Sequence, residues 1–198
     1  VRRVGLPEER VHYTIPFKAY PDQVRVRAGR TYRQGWHGWV EQRLVNPFMN
    51  WAYEHKVTPQ AIAQTVRLLE MSQAQGDKVL VFGSWSLLHG VALDLSAHNK
   101  ILKLPVGSVL GTGGGFKERY PYSADQIRQD LAATIQFDDG QAVPMGDTYG
   151  MAEGNWAAMQ CKHGSFHIPP WIYAVTLDQN DSFQINPDST GLLAFFDP

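Results

Sequence analysis

Three short apolar runs, Lys78-Val-Leu-Val-Phe-Gly83, residues 105–110 and residues 143–149, alternate with segments that carry helix signals, and this alternation limits the folds open to the chain. Short continuous apolar runs suit strands covered on both faces, as in a parallel sheet. Ser84 is placed to cap a helix from Trp85 to about Ala97, and Ser123 with Gln126 spells a capping box for a helix through Ile135. Strand, helix, strand, helix, strand at this spacing predicts an α/β fold with a partly parallel sheet flanked by helices.

The flanks are read more coarsely. Residues 10–32 alternate in a β-like way, through Val11, Tyr13, Ile15, Phe17, Val24 and Val26, with a turn at Pro21-Asp22. Residues 34–55 are rich in aromatics, and Trp36, Trp39 and Val40 share the spacing of a helix face packed on the core. Thr58-Pro59 reads as an N-cap and first helical position, opening a helix with a stripe at Ile62, Val66, Leu69 and Met71 that stops at Gly76-Asp77. Beyond Glu153, residues 172–177 and 191–196 read as an appended antiparallel strand pair joined by the polar turn 186–190. The whole chain, 1–198, is expected to be a single α/β domain.

Composition narrows the function. With 43% hydrophobic and 19% charged residues the chain is globular rather than disordered. A formal charge of −1 gives no general attraction to nucleic acid, and the Arg25, Arg27, Arg30 and Arg33 cluster is better explained as one solvated strand face. The single cysteine excludes an internal disulfide and points to the cytoplasm, and no apolar stretch is long enough to span a membrane.

The second run leads into Ser108-Val-Leu-Gly-Thr-Gly-Gly-Gly-Phe-Lys117, and the third into Asp147-Thr-Tyr-Gly-Met-Ala-Glu153. Both lie where the carboxyl ends of parallel strands would meet a ligand. Consecutive glycines strip side chains from a loop, so that a flat ligand can lie against main chain, at a cost in chain entropy. The loop is not a P-loop, because Lys117 follows Phe116 and Glu118 stands where a hydroxyl is needed. Nor is it a dinucleotide fingerprint, because Phe116 occupies the third glycine position.

In this order, the triple glycine, Tyr149-Gly-Met-Ala-Glu153, the segment Cys161-Lys-His-Gly-Ser-Phe-His-Ile-Pro-Pro-Trp171 and Gly191-Leu-Leu resemble the adenylate-forming superfamily. Within it, they resemble the acyl-protein synthetases of the bacterial bioluminescence fatty-acid reductase system, with phenylacetate-CoA ligases as cousins. The resemblance runs over roughly residues 60–198. It implies part of the large N-terminal domain of an enzyme that joins a carboxylic, fatty acid to ATP as an acyl-adenylate and hands the acyl group to a thiol, on a reductase or carrier. It further implies that Gly113, Gly114 and Gly115 flank the adenine, with Lys117 near phosphate. Tyr149 and Gly150 would cover the other side of the ring, and Glu153, the catalytic residue, would help hold Mg2+ on the triphosphate. Ser84 to His89 would lie on the acyl side. Nothing in residues 1–60 matches the family's triphosphate loop, and the ribose aspartate, the lid domain with its lysine and the acceptor cysteine would fall beyond Pro198. The chain is therefore expected to be an incomplete portion of a longer adenylating enzyme, inactive alone. A non-catalytic nucleotide-binding or interaction module that keeps the fold is the alternative.

Cys161, His163 and His167 supply three zinc-type ligands within one short segment. Structural zinc takes four, and a fourth is not evident, so a buried thiol with two backbone-bonded histidines is the preferred reading.

Overall fold

The computed structural model describes residues 11–14, 35–113, 116, 120–150, 156–161, 163–178, 184–185 and 190–196. The expected β pattern over 10–32 and its arginine cluster fall largely outside them, and 11–14 carry no strand.

The chain is helical without a break from 36 to 75. Two stretches of this run, Glu41–Val45 and Tyr53–Val57, are wider π-type turns, and the last part is α1, Thr58–Gln75. Each wide turn lies just before an X-Pro pair, Asn46-Pro47 and Thr58-Pro59, and the amide preceding each proline bonds five residues back, to Glu41 O and Tyr53 O. A proline inside an α-helix lacks its own amide and strikes the carbonyl four residues back. A locally widened turn accommodates both problems. Thr58 is consequently no N-cap: its side chain caps nothing, and the residue before it is already helical. The helix ends as expected, with Gly76 left-handed at φ 69.

The buried stripe of α1 comprises Ala61, Thr65, Val66 and Leu69, while Met71 is exposed, contrary to expectation. The aromatic segment is helical as read, but it does not pack on the core: Trp36 is 68% and Trp39 58% exposed, and Phe48 and Trp51 are also exposed. The π turns explain the difference, because each added residue rotates the aromatic face away from the register of the buried one.

A five-stranded sheet runs in the order β1-β3-β5-β6-β7, with β1 Leu80–Gly83, β3 Val109–Gly113, β5 Met145–Gly150, β6 Ala157–Gln160 and β7 Phe166–His167. The first three strands are parallel and the last two antiparallel. Both crossovers are built alike. β1 leads through α2 (Trp85–Ala97) and β2 (Leu102–Leu104) to β3; β3 leads through α3 (Ala124–Thr134) and β4 (Ile135–Phe137) to β5. The two short strands pair with each other in parallel. Ile135 thus opens a strand rather than closing a helix. Residues 105–108 form a turn and the strand starts at Val109, because Ser108 is fully buried there, donating to Pro105 O and accepting from Val79 N–H.

Ser84 and Ser123 cap their helices through Leu87 N–H and Gln126 N–H. The box at Ser123 is only half formed, since the Gln126 amide reaches forward to Asp130 instead. The core joins one face of the sheet to the three helices through Leu88, Val91, Leu95, Leu104, Leu110, Ile127 and Leu131. β1 is an edge strand, not one buried on both faces: Leu80 is 70% exposed, while Val79 and Val81 pack inward. The appended pair is present as β8 (Tyr173–Leu177) and β9 (Leu192–Phe196), antiparallel, with Phe195 packed edge-on against Trp156.

Candidate functional site at the carboxyl ends of the strands

Parallel pairing of β3 with β5 sets Gly113 beside Thr148, one residue before Tyr149 and two before Gly150. Gly113, Tyr149 and Gly150 therefore share one end of the sheet. Gly114, Gly115, Lys117 and Glu153 lie outside the described residues. Inward-facing beneath this end is a polar pair: Thr112, fully buried, donates to Asp147 Oδ1 at 2.6 Å, and the same oxygen accepts from Thr148 N–H at 2.9 Å. A carboxylate held by a hydroxyl and an amide gives the ends of β3 and β5 one fixed spacing.

The glycines of β3 have a structural use of their own. A Cβ on Gly111 would come within 2.7 Å of the Phe82 ring, and one on Gly113 within 2.9 Å. Phe82 lies across the bare strand from its neighbour β1, so the room left at Gly113 on that side is taken by a phenyl ring rather than kept for a ligand. Tyr149 is different. Its ring is 41% exposed, flanked by Trp156 at 6.2 Å and Phe166 at 6.1 Å between centroids. An aromatic ring held by two others and still open to solvent is fit to stack a planar ligand. At Gly150 an added Cβ would sit 3.3 Å from Trp156 O, so glycine lets β6 approach closely.

Cys161 and His163 occupy the turn between β6 and β7, and His167 ends β7. Cys161 N–H donates to Ser165 O, Gly164 N–H donates to Cys161 O, and Gly164 takes the left-handed conformation at φ 82. The backbone N–H of His163 and then the His167 side chain hold the Cys161 thiol below its ordinary value against the opposing effect of burial, with a lesser contribution from the Ser165 amide. The thiol is half-buried and the histidines exposed, not the buried arrangement expected. Among the described residues no group of three or more His, Cys, Asp or Glu side chains converges to hold a metal.

In the segment Ser84 to His89, Ser84 and Ser86 are exposed and Leu87 is half-buried. Trp85, Leu88 and His89 are buried, and His89 has no exposure at all. His89 Nδ1 lies 2.9 Å from Tyr120 Oη, and Nε2 lies 2.9 Å from Asp130 Oδ2. A depression lined by Tyr53, Ala61, Ser84 and Leu87 has a volume of about 30 Å³. That is room for about two waters. Sequence reasoning misses both buried polar arrangements, Thr112 with Asp147 and Tyr120-His89-Asp130, because their members are 31 to 41 residues apart. The only signal is a histidine inside an apolar helix stripe.

Comparison with known proteins adds to this geometry. The profile of the family described as acyl-protein synthetase, LuxE, matches residues 51–198. The chain is 32% identical over 88 residues to a long-chain-fatty-acid–luciferin-component ligase of Aliivibrio fischeri, a match covering 43% of this chain and 23% of that protein. Its fold is similar to that of a long-chain-fatty-acid-CoA ligase (FadD1) from Archaeoglobus fulgidus, with a TM-score of 0.50 and 13% identity, covering 66% of this chain and 27% of that one. The low identity makes the second likeness one of fold alone. Among the described residues no helix is long and apolar enough to cross a membrane.

Proposed function

The chain belongs to the acyl-protein synthetase, LuxE, family, and from that premise we propose that it supplies part of the nucleotide site of an enzyme that activates a carboxylic, fatty acid. The acid's carboxylate attacks the α-phosphorus of ATP, forming acyl-adenylate and releasing pyrophosphate; a thiol on a reductase or carrier then takes the acyl group and releases AMP. The observation that carries this reading is the pairing of Gly113 beside Thr148, which brings the start of the triple glycine next to an exposed, flanked Tyr149.

In this reading Tyr149 stacks on the adenine, with main chain at 113–115 on the opposite side and Gly150 allowing close approach. Lys117 lies toward phosphate. Glu153 helps hold Mg2+, which favours carboxylate and phosphate oxygens and would neutralise charge on the triphosphate. The buried Thr112–Asp147 pair sets the spacing of the two walls. Within Ser84 to His89, the exposed Ser84 and Ser86 are the residues proposed to face the acyl side, while His89 is buried and bonded at both nitrogens. The reducing cytoplasm is the compartment proposed, from the single unpaired cysteine.

The chain corresponds to a minor share of its relatives' length, and the proposal is that residues 1–198 alone do not form acyl-adenylate. Incubation with ATP, magnesium, a panel of fatty and aryl acids and hydroxylamine tests this. No hydroxamate from the 198-residue chain, together with robust hydroxamate from the intact natural protein, is the expected pair of results. Absence of hydroxamate from both would leave a non-catalytic module as the better description.

A further inference from the structure

We propose that His89 is a positioning residue that ties the chain arriving from β3 to helix α3, and thereby holds the approach to the proposed nucleotide site in place. The proposal rests on the nucleotide reading above.

Two side chains one turn apart on α2, Trp85 and His89, lie on the same helix face. Each is gripped from both sides. Phe116 meets Trp85 edge-on at 5.7 Å between centroids, with the Arg128 guanidinium 4.9 Å from the indole centre. Tyr120 and Asp130 each lie 2.9 Å from a nitrogen of His89. Phe116 and Tyr120 belong to the connection between Gly113 and α3, and Arg128 and Asp130 belong to α3 itself. The result is a double rung, Phe116-Trp85-Arg128 and Tyr120-His89-Asp130.

The hydrogen-bond directions follow from the partners. A carboxylate only accepts, so Nε2 carries a proton toward Asp130, and in the neutral ring Nδ1 is then free to accept from Tyr120 O–H. Burial, and then Tyr122 beside it, raise the Tyr120 phenol above its ordinary 10.0, which keeps that proton in place. The Tyr122 ring closes the pocket edge-on at 4.5 Å from the imidazole. Every polar atom of a fully buried ring is thus used, and each partner comes from a different element. A leucine would fill the same space but could not fix the direction of Tyr120. Orientation is what a hydrogen bond adds to packing.

The experiment uses the intact natural protein with Tyr120→Phe, the paired apolar replacement His89→Leu/Tyr120→Phe, and Asp130→Asn. Removing one partner leaves a buried acceptor unpaired, whereas the double replacement removes ring and hydroxyl together and leaves only the partly exposed Asp130 carboxylate, which water can reach, so folding is better preserved. The amide oxygen introduced by Asp130→Asn can still accept from Nε2, so this variant is the conservative control. The expected result is an ATP KM raised roughly five- to tenfold in the first two variants, the scale of one lost buried hydrogen bond. The acid KM and the melting temperature of the double variant should move little, and Asp130→Asn should stay near wild type. An ATP KM within about twofold of wild type in a folded variant, or equal loss of ATP and acid binding, would overturn the proposal. A second readout needs no nucleotide: hydrogen exchange of a peptide spanning 116–122 should quicken in Tyr120→Phe while the α2 peptide is unchanged. If the wild-type protein shows no ATP-dependent activity, the function reading fails, and this exchange difference alone decides the tether. Unchanged exchange would overturn it.

Discussion

Replacing Thr112 by valine should expose how much the buried pair beneath the strand ends contributes. Thr112 has no exposure, its hydroxyl donates to Asp147 Oδ1 at 2.6 Å, and valine keeps its shape. A hydrogen bond to a charged group contributes about 1.5–3 kcal/mol. Two opposing effects reduce the loss. Asp147 Oδ1 keeps the Thr148 N–H bond, so the oxygen is not fully orphaned, and the added methyl contributes up to roughly 0.8 kcal/mol of apolar burial. A net loss of about 1–2 kcal/mol is expected, a factor of roughly 5–30 in the folding equilibrium. Thr112→Ser keeps the donor and loses one methyl, so it should lose less, about 1 kcal/mol. Equilibrium urea unfolding of the three proteins, with unchanged slope, measures these differences. Valine within about 0.5 kcal/mol of wild type, or no worse than serine, would refute the assignment of the pair as an anchor.

Helix starts offer a contrast between residues that look alike in sequence. Ser84→Ala and Ser123→Ala should each destabilise by about 1 kcal/mol, since both side chains accept a first-turn amide. Thr58→Ala should be neutral or stabilising by a few tenths of a kcal/mol, because Thr58 lies inside a continuous helix; thermal unfolding of the three variants decides it, and a Thr58 loss equal to the serine losses would be the contrary result. For Cys161, hydrogen bonds that favour the thiolate lower the titration, so iodoacetamide alkylation should reach half its plateau rate below the ordinary thiol value of 9.0. His167→Ala should move that midpoint up, and a pH–rate profile with the same midpoint in both proteins would contradict the assignment.

The parts legible in the sequence are those decided locally. Ser84, Ser123 and Gly76 begin or end helices through contacts within a few residues, so their neighbours alone reveal them. The parallel order of β1, β3 and β5 follows from short apolar runs spaced by helices. The sequence misleads where a distant element decides. Phe82 reads as a buried strand residue, yet at an edge strand it turns outward across Gly111 and Gly113. Gly113 reads as part of a ligand surface, and part of the reason for glycine there is a neighbouring ring. The short strands β2 and β4 leave no sequence signal because each is only three residues long and is defined by the other. His89 carries no spacing signal for partners that the fold brings from 31 and 41 residues away. The adjacency of Gly113 and Tyr149, in contrast, needs only the expected strand order and a register.

The two wide turns before Pro47 and Pro59 make residue number matter in the long helix. Each inserts about one extra position relative to a uniform spiral, advancing everything downstream by roughly 100°. Trimming one residue from either turn would swing Trp36 and Trp39 around the axis relative to Val66 and Leu69 and drive a pyrrolidine ring into a carbonyl. Point substitutions along 36–57 should thus be tolerated far better than single deletions, and the length of this segment, more than its lettering, is what the fold has to keep.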